Sequence, residues 1–251
     1  MSEAIKELIL KMADDALIIG HRNSEWTGIG PILEEDIALS SMAQDKVGHA
    51  LALFTILHEQ FGEPDSDTLG FHRAEKDFKC CHLVEYPIGE YDFTVARHFL
   101  FDHAEILRYE LLTQSTFEPL AHLAKKIHGE LKYHVLHADS WLNRLGKGTD
   151  ESHSRLQSSL SNCYPIALGI FEESAFENDL VVNKIFPGEK NLRELWEEKI
   201  HSLIEQAHLE IPKVSDETIG YGGRSGYHTE HLKPLLEEMT QVFRMEEKVE
   251  W

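Results

Sequence analysis

The sequence predicts a single all-α domain spanning residues 1–251, and two observations support this prediction. Apolar residues recur at intervals of three and four along most of the chain, which is the spacing of one helix face. The periodic stretches are separated by short segments rich in Gly and Pro, and no tandem repeat or low-complexity linker divides the chain. A helical bundle around one shared core fits both observations.

The helices follow in order along the chain. We predict seven long helices, over residues 2–22, 32–62, 91–115, 118–145, 149–178, 191–207 and 229–246. Residues 63–90 are predicted to hold short, irregular elements, since turn signals occur at Pro64, Gly70 and Pro87. Thr149 or Asp150 is the predicted N-cap of the fifth helix. That helix would carry the acidic run at 172–177 on a solvated face.

The charge balance argues against two classes of partner. The chain has 44 acidic and 24 basic residues, giving a formal net charge of -20. Such a surface repels nucleic acid and anionic membranes, so neither is expected as a partner. No apolar run reaches the roughly 20 residues of a membrane span, and the N-terminus lacks the layout of a signal peptide. We therefore expect a cytoplasmic protein. Cys80, Cys81 and Cys163 form neither a disulfide framework nor a zinc pattern.

Ionisable side chains lie midway along the apolar stripes of the first four long helices. They are Asp15 in the first helix, Lys46 and His49 in the second, Asp102 in the third and His134 in the fourth. If the stripes face one another, these groups meet in the core at one level. An unpaired buried charge costs several kcal/mol, so such groups must pair or bind metal. The sequence thus predicts a buried polar centre, although an alternative first stripe moves Asp15 off the core face.

This pattern departs from that of a di-iron carboxylate bundle at two positions. Such bundles use a Glu from each of two helices and Glu-x-x-His from each of two others. Here Lys46 lies three residues before His49, and Leu131 lies three residues before His134. A lysine ammonium cannot bind iron, and Glu130, four residues before His134, points off the stripe.

A metal-free ion-pair network is the interpretation that these residues favour. Lys46 would supply the positive charge and pair with Asp102, with Asp15 and Glu130 as further candidates. A full di-iron site and a single weakly bound metal stay open as alternatives.

The segment "GGRSGYHTEHL" (222–232) invites a phosphate or metal interpretation, but no strand precedes its glycines. His228 and His231 are three residues apart, and no further acid or Cys cluster completes a site. We expect an ordered loop that enters the last helix, with Arg224 paired to an acidic group.

Four segments carry a resemblance to a known family, and together they span nearly the whole chain. They are "SEWTGIGPILEEDIAL" (24–39), "DTLGFHRAEKDFKCCHLVEYPIGEYDFTVARHFLFD" (67–102), "KYHVLHADSWLNRLGKGTD" (132–150) and "GGRSGYHTEHLKPLLEEM" (222–239). The chain resembles the structural (C) subunits of ring-1,2-phenylacetyl-CoA epoxidases, the phenylacetate-CoA oxygenases of bacterial phenylacetate degradation. This resemblance implies a ferritin-like four-helix bundle with additional C-terminal helices.

The resemblance also implies a role beside a related catalytic A subunit, which holds the di-iron centre, binds acyl-CoA and inserts oxygen. Further subunits complete the complex and supply electrons. That catalytic subunit has Glu where Lys46 and Leu131 stand here, whereas its core Asp and His ligands match Asp102, His49 and His134. We therefore expect no catalytic residue, cofactor or metal in this chain. Self-association, and an active di-iron oxidase or oxygenase, stay open as alternatives.

Overall fold

The computed structural model describes residues 1–215 and 218–246. Within these ranges the protein is built from ten α-helices and contains no β-strand. The helices are α1 (Ser2–Ser24), α2 (Leu33–Phe61), α3 (Ser66–Phe71), α4 (His82–Glu85), α5 (Tyr91–Leu112), α6 (Glu118–Gly146), α7 (Asp150–Ala167), α8 (Glu177–Val182), α9 (Glu189–Gln206) and α10 (Leu232–Glu246). The prediction of an all-α fold is confirmed.

Six of the seven predicted long helices begin and end within a few residues of their predicted bounds. Their ends follow local chemistry. Gly62 stops α2 because it adopts a left-handed conformation with φ of 70°, which glycine tolerates without steric cost. At the start of α7, the Thr149 side chain accepts a hydrogen bond from the backbone N–H of Ser152, which makes Thr149 the N-cap.

The prediction for the fifth helix is wrong at its C-terminal end. The periodicity extends this helix to residue 178, but α7 ends at Ala167 and a 3-10 turn follows over Leu168–Phe171. The crossing of a later segment explains the early end. The backbone N–H of Gly220 donates to the Pro165 carbonyl at 3.2 Å. In a continuing helix this carbonyl would instead accept from the backbone N–H four residues later.

The acidic run at 172–177 consequently does not form a solvated helix face. Glu172 lies in the loop after the 3-10 turn, and its carboxylate accepts a hydrogen bond from the backbone N–H of Gly222 at 2.8 Å. Glu177 begins α8 and accepts from the backbone N–H of Glu189 at the start of α9. Both acids therefore hold separate segments of the chain together.

The four long helices α1, α2, α5 and α6 form the bundle, and α7 and α9 pack on the outside of α5. Helices α1 and α2 approach each other closely at Gly20. A Cβ at Gly20 would lie 2.9 Å from Cγ2 of Val47 and 3.2 Å from its backbone nitrogen, so the absence of a side chain at Gly20 allows this contact. The backbone next to Lys46 is thereby fixed against α1.

One continuous hydrophobic cluster joins the bundle to the later helices. It contains buried side chains such as Ile9 of α1, Phe99 of α5, Leu160 of α7, Trp196 of α9 and Leu235 of α10. The indole N–H of Trp196 donates to the Leu100 carbonyl at 2.9 Å, which ties α9 to the middle of α5. None of the described helices combines the length and apolar character that crossing a membrane requires.

Candidate functional site

A buried lysine on α2 meets two carboxylates on α5 at the centre of the bundle. Lys46 Nζ donates to Oδ1 of Asp102 at 2.8 Å and also contacts the carboxylate of Glu105. Lys46 and Asp102 are both fully buried. Asp102 and Glu105 are three residues apart, which places them on one face of α5. The pair of Lys46 with Asp102 is the one that the sequence favours, whereas Glu105 is an additional partner.

A histidine extends this network to α1. The second carboxylate oxygen of Asp102 lies 2.9 Å from Nδ1 of His98, and Nε2 of His98 lies 2.8 Å from Oδ1 of Asn23. His98 and Asn23 are both buried. The chain of contacts from Asn23 through His98 and Asp102 to Lys46 therefore links α1, α5 and α2 across the core.

The charges of this network are set by the contacts within it. Burial alone would raise the pKa of Asp102, but the Lys46 ammonium outweighs it and holds that pKa well below its usual range. Burial likewise acts to lower the pKa of Lys46, yet Asp102 and Glu105 raise it above its ordinary value. At neutral pH the lysine and Asp102 are therefore both charged. Burial lowers the pKa of His98 to about 4, so its imidazole is neutral.

Two further histidines join α2 to α6 beside this network. Nε2 of His49 lies 2.8 Å from a carboxylate oxygen of Glu130, and Nε2 of His134 lies 3.0 Å from one of Asp45. The two imidazole rings are stacked with centroids 6.4 Å apart. In the described part of the chain, Nδ1 of each ring is buried without a hydrogen-bond partner. A histidine fixed by a carboxylate at one nitrogen and free at the other is oriented as metal-binding histidines are.

A third carboxylate joins α2 to α5 and α6 nearer the start of α2. Buried Glu35 accepts hydrogen bonds from the Tyr91 hydroxyl at 2.5 Å and from the Trp141 indole N–H at 2.7 Å. One of its oxygens also lies 2.7 Å from Nε2 of His137. Burial and the neighbouring carboxylate together raise the pKa of Tyr91, which keeps that hydroxyl protonated as a donor.

Two candidate partners of Lys46 bind other residues instead. Asp15 does not reach Lys46, because both of its carboxylate oxygens bind the Arg224 guanidinium, at 2.8 and 2.7 Å. Asp15 also accepts from the backbone N–H of Cys81 at 2.8 Å. Asp15 is thus the acidic partner predicted for Arg224. Glu130 is partly exposed on α6, and it binds His49 rather than Lys46.

Sequence reasoning missed Glu105, His98, Asp45 and Glu35. Each of them has a helical spacing that could have indicated it. Glu105 and His98 are three residues after and four residues before Asp102, and Asp45 is four residues before His49. Glu35 lies on the α2 stripe itself, one turn before its first assigned apolar member, Leu39.

The fold and the buried ionisable residues between α2, α5 and α6 define a ferritin-like helical protein. The family model described as "Phenylacetic acid catabolic protein" matches residues 1–251, and the chain belongs to this family. The chain is also 33% identical over 242 residues to the C subunit of 1,2-phenylacetyl-CoA epoxidase from Escherichia coli (strain K12). That match covers 96% of this chain and 97% of the relative. The resemblance carried by the four quoted segments is confirmed.

Proposed function

We propose that this chain is a non-catalytic structural subunit of a multicomponent oxygenase that epoxidises phenylacetyl-CoA in the cytoplasm. A related catalytic subunit would hold the di-iron centre, and this chain would pack against it and stabilise its shape. The relative from Escherichia coli is named as a subunit of such an epoxidase and matches over almost its full length. The observation that carries the non-catalytic part of the proposal is the position of the Lys46 ammonium between Asp102 and Glu105.

The donor chemistry of the bundle centre supports this proposal. Lys46 stands where the ligand pattern of a di-iron bundle has a carboxylate, and Leu131 stands at the second such position. An ammonium has no lone pair to donate and repels metal cations, while a leucine offers no donor at all. These residues therefore do not fit a dinuclear iron centre, and Lys46 supplies the cationic charge that Asp102 and Glu105 need.

One observation favours the second candidate, an active di-iron oxidase or oxygenase. Nδ1 of His49 and of His134 are buried and unpartnered among the described residues, as iron ligands would be before metal binds. This candidate requires Lys46 to leave two carboxylates in a buried site. Removing the cation would strand those charges, so the first proposal is the better supported one.

The outer faces of α2 and α6 supply a surface on which a partner subunit would pack. These two neighbouring helices expose large apolar side chains to solvent, namely Leu33, Ile37, Val47 and Leu51 on α2 and Tyr133 and Leu136 on α6. Leu33 is 72% exposed and Leu136 is 65% exposed. Leu33 and Ile37, and likewise Val47 and Leu51, are four residues apart on one face of α2, and exposed apolar side chains grouped in this way are typical of protein–protein contacts. We name this surface the α2–α6 face and assign it to the catalytic subunit.

Co-purification from the native host tests the proposal together with elemental analysis. Tagged full-length chain should retain a related helical subunit that contains iron, and the isolated chain should hold no stoichiometric iron and oxygenate no acyl-CoA. Two iron atoms per isolated chain, with oxygenation of phenylacetyl-CoA, would instead establish the second candidate. Retention of another copy of this chain alone would assign the α2–α6 face to self-association and contradict the partner assignment.

A further inference from the structure

A second cluster of ligand-type side chains lies outside the bundle centre, where the loop before α10 meets the chain around α4. Sγ of Cys80 lies 3.7 Å from Oε1 of Glu85 and 3.9 Å from Nδ1 of His228, and the last two atoms are 2.7 Å apart. All three side chains are fully buried. Within residues 1–215 and 218–246, this is the one group of three such residues whose ligand atoms converge within 4.8 Å.

The hydrogen bonds around the cluster fix the orientation of its imidazole and its carboxylate. Nε2 of His228 lies 3.1 Å from the Phe78 carbonyl oxygen, which can only accept, so Nε2 carries a proton and donates it. Oε2 of Glu85 accepts from the backbone N–H and the hydroxyl of Thr229, at 2.7 and 2.6 Å. In metal sites, hydrogen bonds of this kind to the atoms that do not bind the metal orient the ligand side chains.

The contact between Nδ1 of His228 and Oε1 of Glu85 requires a positive charge between the two atoms. With Nε2 protonated, neutral His228 presents a lone pair at Nδ1, and Glu85 presents a carboxylate oxygen only 2.7 Å away. Two acceptors at this distance are stable only with a cation between them. That cation is either a proton or a metal ion. The Cys80 thiol donates to the same carboxylate oxygen at 3.7 Å, so its sulfur is already turned toward the point where the two acceptors meet and is in place as a third ligand atom.

We propose that Cys80, Glu85 and His228 bind a divalent transition-metal ion of the zinc class. At bond lengths of about 2.3 Å to sulfur and about 2.0 Å to nitrogen or oxygen, tetrahedral ligand atoms lie roughly 3.3–3.6 Å apart. The two distances to Sγ, 3.7 and 3.9 Å, are close to that range. Binding requires Nδ1 and Oε1 to separate by about half an ångström and Sγ to approach them by a few tenths of an ångström. A soft thiolate with an imidazole selects zinc over magnesium or calcium.

The site can exchange two protons for a divalent metal ion without a change in its net charge. Burial, with Glu85 adding to it, raises the pKa of Cys80 well above its ordinary value, so without metal the sulfur is a neutral thiol. A metal ion of charge +2 would displace the thiol proton and the proton shared by His228 and Glu85, and both protons would leave to water. The net charge of the buried cluster is then the same before and after binding.

In the part of the chain that the structure describes, no other nearby carboxylate competes for the ion. Asp14 and Asp15 are the further acids that act on the Cys80 thiol. Asp14 is paired with Arg73 and Asp15 with Arg224, so both are already compensated. The metal would join the chain around α4 to the loop at His228, which lies more than 140 residues later, and would thereby pin the entry to α10. This role is independent of the bundle centre.

Metal binding to the full-length chain tests the inference. The protein is unfolded in chelator, refolded with one equivalent of Zn²⁺ or Co²⁺ so that burial does not bar entry, and then freed of excess metal. We expect one retained Zn²⁺ per chain, two protons released on binding, and a thiolate-to-cobalt charge-transfer band with Co²⁺. Zn²⁺ should also raise the melting temperature.

Matched variants separate this site from adventitious binding. Cys80→Ser and His228→Gln should each weaken retention by about tenfold or more and abolish the charge-transfer band or the Zn²⁺-dependent melting shift. Cys81→Ser is the control, because Cys81 is equally buried and adjacent but outside the cluster. Circular dichroism without metal verifies that each variant folds. No retained metal in the folded wild type, or equal retention in Cys80→Ser, would overturn the inference and leave a proton between His228 and Glu85.

Discussion

The Lys46 ammonium lies 2.8 Å from Oδ1 of Asp102, and neither side chain has any exposed surface. This contact joins the middle of α2 to the middle of α5. A buried ion pair of this kind contributes little compared with a well-packed apolar pair, because both ions lose their hydration. Removing one partner is different, since the other charge is then left uncompensated in the core. The contact therefore fixes which residues of α2 and α5 face each other.

Loss of the lysine charge should destabilise the fold. In Lys46→Met the side chain keeps most of its volume, so the main change is that Asp102 and Glu105 lose their shared cation. We expect the free energy of unfolding in urea to fall by about 3–5 kcal/mol.

The matched control for this substitution is Lys126→Met on α6. Lys126 is 72% exposed and its ammonium lies 3.9 Å from Glu130, so its removal should change stability by less than about 1 kcal/mol. If Lys46→Met unfolds at the same urea concentration as the wild type, the lysine does not carry the compensating charge.

Stability should also decline as the pH falls below neutral. Burial lowers the pKa of His98 to about 4, whereas an exposed histidine has a pKa of 6.5. The unfolded chain therefore takes up a proton at a pH where folded His98 does not. The resulting contribution, about 3 kcal/mol, is fully present above pH 6.5 and is lost as the pH falls from 6.5 to about 4. His49, whose pKa burial also lowers, contributes with the same sign.

Urea unfolding at about pH 7.5 and about pH 4.5 measures this decline. His98→Gln removes the titrating group and should make the difference between the two conditions smaller. His122→Gln is the matched control, because His122 is exposed on α6 and should leave the difference unchanged. An equal decline in wild type and His98→Gln would mean that other groups cause the acid sensitivity.

Helical periodicity is sufficient to find Lys46 and Asp102 on the inward stripes, because one face of each helix is apolar. It cannot assign their further partners. Helix α5 is buried on several faces at once, so its pattern does not distinguish Glu105 from Ile106 as the inward residue. The partner of Asp15 is Arg224, more than 200 residues away, and only the tertiary fold brings a loop of that separation to α1.

The same limit explains why the sequence does not predict the cluster of Cys80, Glu85 and His228. Cys80 and Glu85 are close in sequence but His228 is in another segment, and no ligand spacing of a known motif connects them. The wrong C-terminal end of the fifth helix has a related cause, since the chain at Gly220 competes for the Pro165 carbonyl. Local patterns predict which faces are buried, whereas contacts between distant segments decide where helices end and which polar groups meet.

Charged substitutions on the α2–α6 face should release the proposed catalytic partner without unfolding the chain. Leu51 and Leu136 are 56% and 65% exposed, so aspartate at either position remains hydrated in the isolated protein. In a complex the same carboxylates would be desolvated in an apolar contact. We expect Leu51→Asp with Leu136→Asp to weaken co-elution with the catalytic subunit by about tenfold or more.

Val182→Asp on α8 is the control for this prediction. Val182 is an apolar residue with 68% exposure outside the α2–α6 face, so its substitution adds the same charge at a comparably exposed position. Analytical size-exclusion chromatography of the reconstituted mixture measures the association. The assignment of the face is wrong if the double variant co-elutes as the wild type does, or if Val182→Asp weakens co-elution equally.

Introducing two carboxylates should convert the bundle centre into a metal site. Lys46→Glu with Leu131→Glu puts Glu three residues before each of His49 and His134, on the same helix faces. Both histidines already have a buried, unpartnered Nδ1 among the described residues and a carboxylate at Nε2. We expect the double variant to bind up to two Fe²⁺ or Co²⁺ ions per chain, measured by elemental analysis after gel filtration.

The control variant tests whether Lys46 itself excludes metal from the bundle centre. Leu131→Glu alone adds a carboxylate but keeps the ammonium of Lys46 between Asp102 and Glu105, so it should bind no metal at the bundle centre. Both proteins carry Cys80→Ser as well, which removes the proposed site at His228 from the measurement. If Leu131→Glu alone binds metal as tightly as the double variant, Lys46 is not what excludes metal from this bundle. The proposed non-catalytic role would then need an explanation from substrate access rather than from charge.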